Sequence, residues 1–434
     1  MSPDLILLLF AVLLALQTGV DTGLTVLNLR HARRHGDRVP PFFEGIVTPE
    51  GYRRSVEYTL ARGRFTMVAE IVSAAVLLGI VASGLLGLVD AGIRTIPIHR
   101  YLQGILFIGT VSFAAWVLRL PFSLYSTFSI EERFGFNRTT LPLYINDSLK
   151  GFAISAVIGV PLLSALFWFM DRTGPAWWVW AFAAAPAFQI VMNVLAPMVI
   201  APLFNRFTPL PPGSLRDRIA NLAARAGLRV SGIYVVDSSR RSGHSNAYFT
   251  GLGLWKRIVL YDTLVSSGTE EEIVSVLAHE IGHEKHLHVL RALVVSTVLT
   301  LVGFYVLSVI LGWEAFYHAF GFRQPSYQAI VVLLFFCSGP VVYFLQPLVA
   351  TLSRRQEYQA DRFAVRAVGS AAGLRSALLR LGRENLSNLS PHPLFSFFHY
   401  THPTLPERLD ALDRAERELS GDGLSRGRKA SRGG

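Results

Sequence analysis

His279, Glu280 and His283 stand in the order H-E-x-x-H, within the run His-Glu-Ile-Gly-His. On a helix, residues four apart share a face, so both imidazoles can reach one tetrahedral metal ion. Glu280 follows the first of them and can face the open position. A zinc ion there lowers the pKa of its water toward about 7, and a carboxylate beside it can take the proton during attack on a peptide carbonyl. Random order produces this pattern in roughly one of a hundred chains of such composition. The competing reading is two surface histidines on an amphipathic helix. Context favours the metal, because Thr269 and Glu272 form a capping-box pattern ahead of the motif and an apolar run follows it.

Catalytic zinc keeps three protein ligands and one open position. A metzincin arrangement wants Gly at 286 and His at 289, but the chain has His286 and Val289, which excludes that subclass. Glu357, in Arg-Arg-Gln-Glu-Tyr-Gln-Ala-Asp, is the better third ligand. Asp361 lies one turn further on the same helical face, where it can hold a ligating imidazole in the required tautomer. An ordinary solvated helix with arginine neighbours is the competing reading of this pair. His286 is read as an interfacial residue in preference to a group behind the ligands, and His288 is left undecided.

What must position these groups is a set of membrane helices. Only 16% of the residues are charged and 51% are hydrophobic, with a mean hydropathy of +0.39. Soluble domains carry about 25% charged residues. The net charge of +11 gathers at the ends of apolar runs, so no nucleic-acid partner is expected and the lipid bilayer is. Cys337 is the only cysteine, which excludes an intrachain disulfide and a cysteine metal site.

Seven runs are long and apolar enough to span, at roughly 4–28, 65–89, 101–120, 152–170, 177–202, 290–312 and 327–352. The first is read as a retained span, since it lacks the basic start and cleavage site of a signal peptide. Arginines crowd the connections after the first span (Arg30, Arg33, Arg34, Arg38, Arg53, Arg54, Arg62, Arg64) and the third (Arg133, Arg138). The positive-inside rule places those connections in the cytoplasm, together with the polar insert and the C-terminal segment. His283 and Glu357 then lie one to two turns beyond spans six and seven, at a similar depth.

The expected organisation is a five-span membrane region over 1–204, a cytoplasmic insert over 205–289, two further spans over 290–352, a catalytic segment over 353–418 and a disordered basic tail over 419–434. In the insert, residues 214–226 read as a helix ending at Gly227, and 232–236, 246–250 and 257–261 read as strands. From Thr269 to Trp313 no proline interrupts the chain, which predicts one long helix running into the sixth span.

Several stretches together resemble a known family, the type I CaaX prenyl endopeptidases, membrane zinc proteases of the gluzincin type. They are Ile200-Ala-Pro-Leu-Phe-Asn-Arg-Phe-Thr-Pro-Leu210, His244-Ser-Asn-Ala-Tyr-Phe-Thr-Gly-Leu252, the H-E-x-x-H motif, Glu357-Tyr-x-Ala-Asp361 and His402-Pro-Thr-Leu-Pro-Glu-Arg-Leu409. The first 190 residues match in hydropathy and topology alone. The resemblance implies one Zn2+ per chain on His279, His283 and Glu357, Glu280 as general base and Asp361 behind the ligands. It implies Asn246 on a strand beside the cleft, binding substrate backbone, and His402 and Arg408 near the scissile carbonyl. The substrate class implied is a peptide or protein prenylated at its C-terminus.

The expected fold class is thus an α-helical membrane protein with seven transmembrane helices and a small cytoplasmic α+β zinc-protease insert. Two rivals remain at this stage. One is a quality-control metalloprotease with no lipid requirement. The other is a transporter or binding protein with a chance motif, against which the scarcity of mid-span ionisable residues (Asp21, Glu70) counts. The excess of arginine over lysine favours a bacterial inner membrane over the endoplasmic reticulum.

Overall fold

The computed structural model describes the backbone of residues 1–251 and 256–430, and side chains through residue 421. Leu252 and residues 431–434 fall outside. Most of the chain is helical. The membrane region contains α1 (Pro3–Arg34), α2 (Pro49–Ala82), α3 (Leu85–Arg94), α4 (Arg100–Tyr125), α5 (Leu141–Arg172), α6 (Trp177–Leu195) and the short α7 (Ala201–Phe204). Next come β1 (Phe207–Pro209), α8 (Ser214–Arg225), β2 (Gly232–Val236), β3 (Ala247–Thr250), β4 (Arg257–Tyr261), α9 (Asp262–Ser267) and α10 (Glu270–Lys285). The chain continues as α11 (His288–Ile310), α12 (Glu314–Ala319), α13 (Tyr327–Val368), α14 (Ala372–Glu384), α15 (Pro393–His399) and α16 (Leu405–Ala430).

Among the described residues seven helices are long and apolar enough to cross a membrane, and each overlaps one of the expected spans. Their buried residues gather at two ends. One cluster joins Phe10 of α1, Val81 of α2, Phe107 of α4, Phe167 of α5, Leu307 of α11 and Ile330 of α13. The other fills the polar end, where α8, β4, α10, α13, α14 and α16 contribute Leu222, Leu260, Leu277, Val365, Leu374 and Leu412. Between them the spans bury almost nothing. Among the described residues none is buried from 59 to 80, 108 to 129, 141 to 166 or 289 to 306.

Among the described residues four strands form a mixed sheet in the order β1-β2-β4-β3. β2 and β4 run parallel, with Ile233 opposite Ile258, while β1 and β3 pair antiparallel at the two edges. The expected strand over 246–250 is therefore an edge strand. β1 escapes a periodicity reading because it is three residues long and ends in Pro209, which an edge tolerates.

Two expectations require correction. The predicted helix from Thr269 into the sixth span is two helices, interrupted at His286 and Leu287, with Leu287 in the left-handed region at φ 54°. The second span is shorter than 65–89 because Gly84, at φ 68°, ends it and starts α3. A Cβ at Gly87 on α3 would lie 1.8 Å from the Gly321 carbonyl oxygen, so close backbone packing holds α3 there.

Candidate metal centre

The capping box forms as its residue types require. The Glu272 N–H donates to Thr269 Oγ1 at 3.2 Å, and the Thr269 N–H donates to the Glu272 carboxylate at 3.1 Å. The same carboxylate accepts from Arg380 Nε at 2.8 Å and Ser376 Oγ at 2.6 Å, tying α10 to α14. From this fixed start α10 turns Ile273, Leu277 and Ile281 into the core and carries His279 and His283 toward α13. Gly282 lets the two helices meet, for a Cβ there would lie 2.8 Å from Ala360 Cα.

On α13, Glu357 faces both rings. His279 Nε2 lies 3.5 Å from Glu357 Oε2, and His283 Nε2 lies 3.3 Å from Glu357 Oε1. The two imidazole Nε2 atoms are 3.1 Å apart. One ligand atom from each residue lies within 4.8 Å of the others. Glu357 is 3% exposed, yet among the described residues its Oε2 has no hydrogen-bond partner. A buried carboxylate oxygen left without a donor is costly, and two bare imidazole nitrogens facing it make a cation the fitting partner. Burial disfavours charge on the His279 ring, but the neighbouring Asp361 and Glu357 carboxylates outweigh it and raise its pKa. The enclosure thus favours positive charge, and a His-His-Glu set suits zinc.

Asp361 sits behind the first ligand. His279 Nδ1 donates to its Oδ1 at 2.7 Å, which fixes the ring with Nε2 toward Glu357. Arg408, from α16, grips the same carboxylate with two donors, Nη2 to Oδ1 at 2.6 Å and Nε to Oδ2 at 3.0 Å. Its remaining nitrogen, Nη1, is 3.7 Å from Glu357 Oε2. Arg408 therefore comes in from the buried side, with two of its three nitrogens committed to Asp361.

His402 approaches from the open side. It is 65% exposed, and its Nε2 lies 3.5 Å from Glu357 Oε1. The loop that carries it follows α15, whose carboxy-terminal carbonyls would otherwise be orphaned. Arg354 satisfies them, donating through Nη1 to the carbonyls of Phe397 at 3.2 Å and Tyr400 at 2.7 Å. Because Arg354 lies on α13 one turn before Glu357, a single helix places both Glu357 and the His402 loop. Sequence reading took this arginine as a neighbour of Glu357 without a role.

Glu280 is half-buried beside the ligands. Burial, foremost, raises its pKa above the ordinary 4.5, against the pull of the His279 and His283 rings. Asn246 is exposed at the head of β3, its Oδ1 accepting from the Ala247 N–H at 2.8 Å. β3 packs beside α10, so its free edge borders the ligand helix. Among the described residues no hydrogen bond joins Asn246 to the ligand set. His286 stacks on His288, with ring centroids 5.6 Å apart, and it is His288 that touches a ligand, His283. Only the helix break could have revealed that, and no glycine or proline announces it.

Residues 28–206 match the family profile described as CAAX prenyl protease N-terminal, five membrane helices, and residues 209–416 match peptidase family M48. The chain is 37% identical over 395 residues to a CAAX prenyl protease 1 homolog of Arabidopsis thaliana, covering 88% of this chain and 91% of that protein. It is 35% identical to CAAX prenyl protease 1 of Saccharomyces cerevisiae, covering 87% and 88%. For the human CAAX prenyl protease 1 homolog the identity is 32%, covering 86% and 88%. The crystal structure of S. mikatae Ste24p superposes with a TM-score of 0.87 at 33% identity, covering 94% of this chain and 99% of that one.

Proposed function

We propose that this chain, which belongs to peptidase family M48 and carries the CAAX prenyl protease N-terminal region before it, removes the C-terminal tripeptide of prenylated CaaX proteins with one zinc ion. The chain is a multi-pass membrane metalloprotease similar to CaaX-processing enzymes. The finer reading rests on one observation. Ligand atoms of His279, His283 and Glu357 lie within 4.8 Å of one another, and among the described residues the buried Glu357 Oε2 has no hydrogen-bond partner.

When bound, zinc supplies a Lewis acid for the scissile carbonyl and an acidified water. The chain's own groups do the rest. Glu280, no ligand itself, takes the proton of the attacking water and returns it to the leaving amine. Asp361, held by Arg408, keeps His279 in the tautomer that leaves Nε2 bare. His402, on the open side, donates toward the carbonyl oxygen as charge develops, while Arg408 offers its Nη1 from behind. Substrate backbone adds to the free edge of β3, with Asn246 at its start.

The arginine-rich connections support a cytoplasmic catalytic side. The relatives named above are plant, fungal and human, and they do not favour the bacterial inner membrane expected from arginine usage. Nor do they favour a lipid-independent quality-control protease or a transporter with a chance motif.

Mass spectrometry of a farnesylated CaaX peptide, incubated with purified protein with and without a zinc chelator, tests the proposal. Chelator-sensitive release of the last three residues is expected. Turnover of unprenylated protein, with the farnesylated peptide left intact, would overturn the substrate assignment.

A further inference from the structure

The second ligand has a partner of its own, and it comes from across the helix break. His283 Nδ1 lies 2.9 Å from His288 Nδ1, and His288 Nε2 lies 3.0 Å from Gln359 Oε1. His288 is the first residue of α11 and is buried at 3% exposure, whereas Leu287 before it is 52% exposed. We infer that His288 and Gln359 form a positioning chain that fixes His283 in its metal-binding tautomer.

The argument is one of donors and acceptors. An amide oxygen has lone pairs and no proton, so Gln359 Oε1 can only accept, and His288 Nε2 must carry the hydrogen. A neutral imidazole holds one N–H, which leaves His288 Nδ1 as a bare acceptor. His283 Nδ1 must then donate to it, and His283 Nε2 is left with a free lone pair. That Nε2 is the atom that faces His279 Nε2 and Glu357 Oε1. The chain does for His283 what Asp361 does for His279, with a neutral acceptor in place of a carboxylate. Gln359 and Asp361 both lie on α13, so the helix that supplies Glu357 also sets the tautomers of both imidazole ligands.

The backbone supports the assignment. A continuous helix would place residue 288 five positions past His283, about 140° around the axis and away from it. The break at Leu287 brings the two rings together. It holds a residue with a Cβ at φ 54°, a conformation that L side chains avoid and that persists where surrounding structure demands it. A strained leucine beside a buried histidine in contact with a ligand is such a place.

The inference rests on the reading of His283 as a zinc ligand, and zinc affinity tests it without reference to turnover. Purified full-length protein in detergent would be titrated with a competing chelator, with bound zinc measured by mass spectrometry of the metal. His288→Leu, which keeps bulk and loses the acceptor, is expected to bind zinc roughly 10- to 100-fold more weakly. His288→Asn, whose Oδ1 can occupy the place of Nδ1, is expected to stay within a few-fold of the parent. Equal affinities for the parent and the leucine variant, or an asparagine variant as weak as the leucine one, would overturn the inference. Should His288→Leu fail to fold, Gln359→Met must bind more weakly than Gln359→Glu, and equality overturns it. A parent chain that binds no zinc would instead overturn the metal reading itself.

Discussion

Replacing Glu280 by glutamine separates the base from the ligands. The substitution keeps size and shape and removes only the ability to accept a proton. Glu280 lies on α10 between His279 and His283, and the ligand atoms that converge belong to His279, His283 and Glu357. Zinc content should therefore remain at one ion per chain. The carboxyl is half-buried and burial raises its pKa, which moves it toward the pH at which a group can both take and return a proton. General-base catalysis contributes about 10²–10⁴-fold, or ~2.7–5.5 kcal/mol at ~1.36 kcal/mol per tenfold. Glu280→Gln should lose that much in kcat on a farnesylated peptide, followed by mass spectrometry of the released tripeptide. Glu280→Asp withdraws the carboxylate by one methylene, and a displacement of about 1 Å costs roughly 10²-fold. Loss of zinc in Glu280→Gln, or activity within tenfold of the parent, would refute the assignment of the base.

Asp361→Leu or Arg408→Leu alone strands a buried charge and should cost about 3–5 kcal/mol, whereas the double variant should cost less than the sum; additive losses in thermal unfolding would break this link. Glu272 gives the polar domain a pH dependence. Burial pushes its pKa up, but bonds from Ser376, Thr269 and Arg380 outweigh it and hold the carboxyl below its ordinary 4.5. Its stabilisation is thus complete above about pH 4.5 and drains as pH falls through the lower folded-state value, so Glu272→Gln should flatten that acid limb in thermal unfolding. Arg354→Leu releases the carboxy end of α15 and should lower kcat at least tenfold with zinc retained, through a misplaced His402; unchanged kinetics would remove Arg354 from the apparatus.

The pairing of His279 with His283 was legible in the sequence because spacing alone carries it, and Glu357, which converges on them in the structure, was reached from its depth beyond the seventh span. Residues four apart share a helical face whatever surrounds them, and the depth of His283 and Glu357 beyond their spans placed α10 and α13 at one level. What escaped needs tertiary contact to exist. Leu287 carries no turn signal, so the break that brings His288 to His283 lies in packing. Arg354 reads as one more interfacial arginine until α15 folds beneath it. Asp21 was visible as an oddity within a span, and its partners, Tyr343 Oη at 3.0 Å and His399 Nε2 at 3.3 Å, come from the far end of the chain. Arg408 was expected near the carbonyl, and only the structure reveals its two bonds to Asp361.

The spans are buried at their two ends and almost nowhere between. Substitution in the middle of a span meets few neighbours, so one apolar residue can replace another there with little effect on folding. Tight packing of the spans is thus concentrated at their two ends. The long N-terminal region offered hydropathy and topology but no motif for this reason.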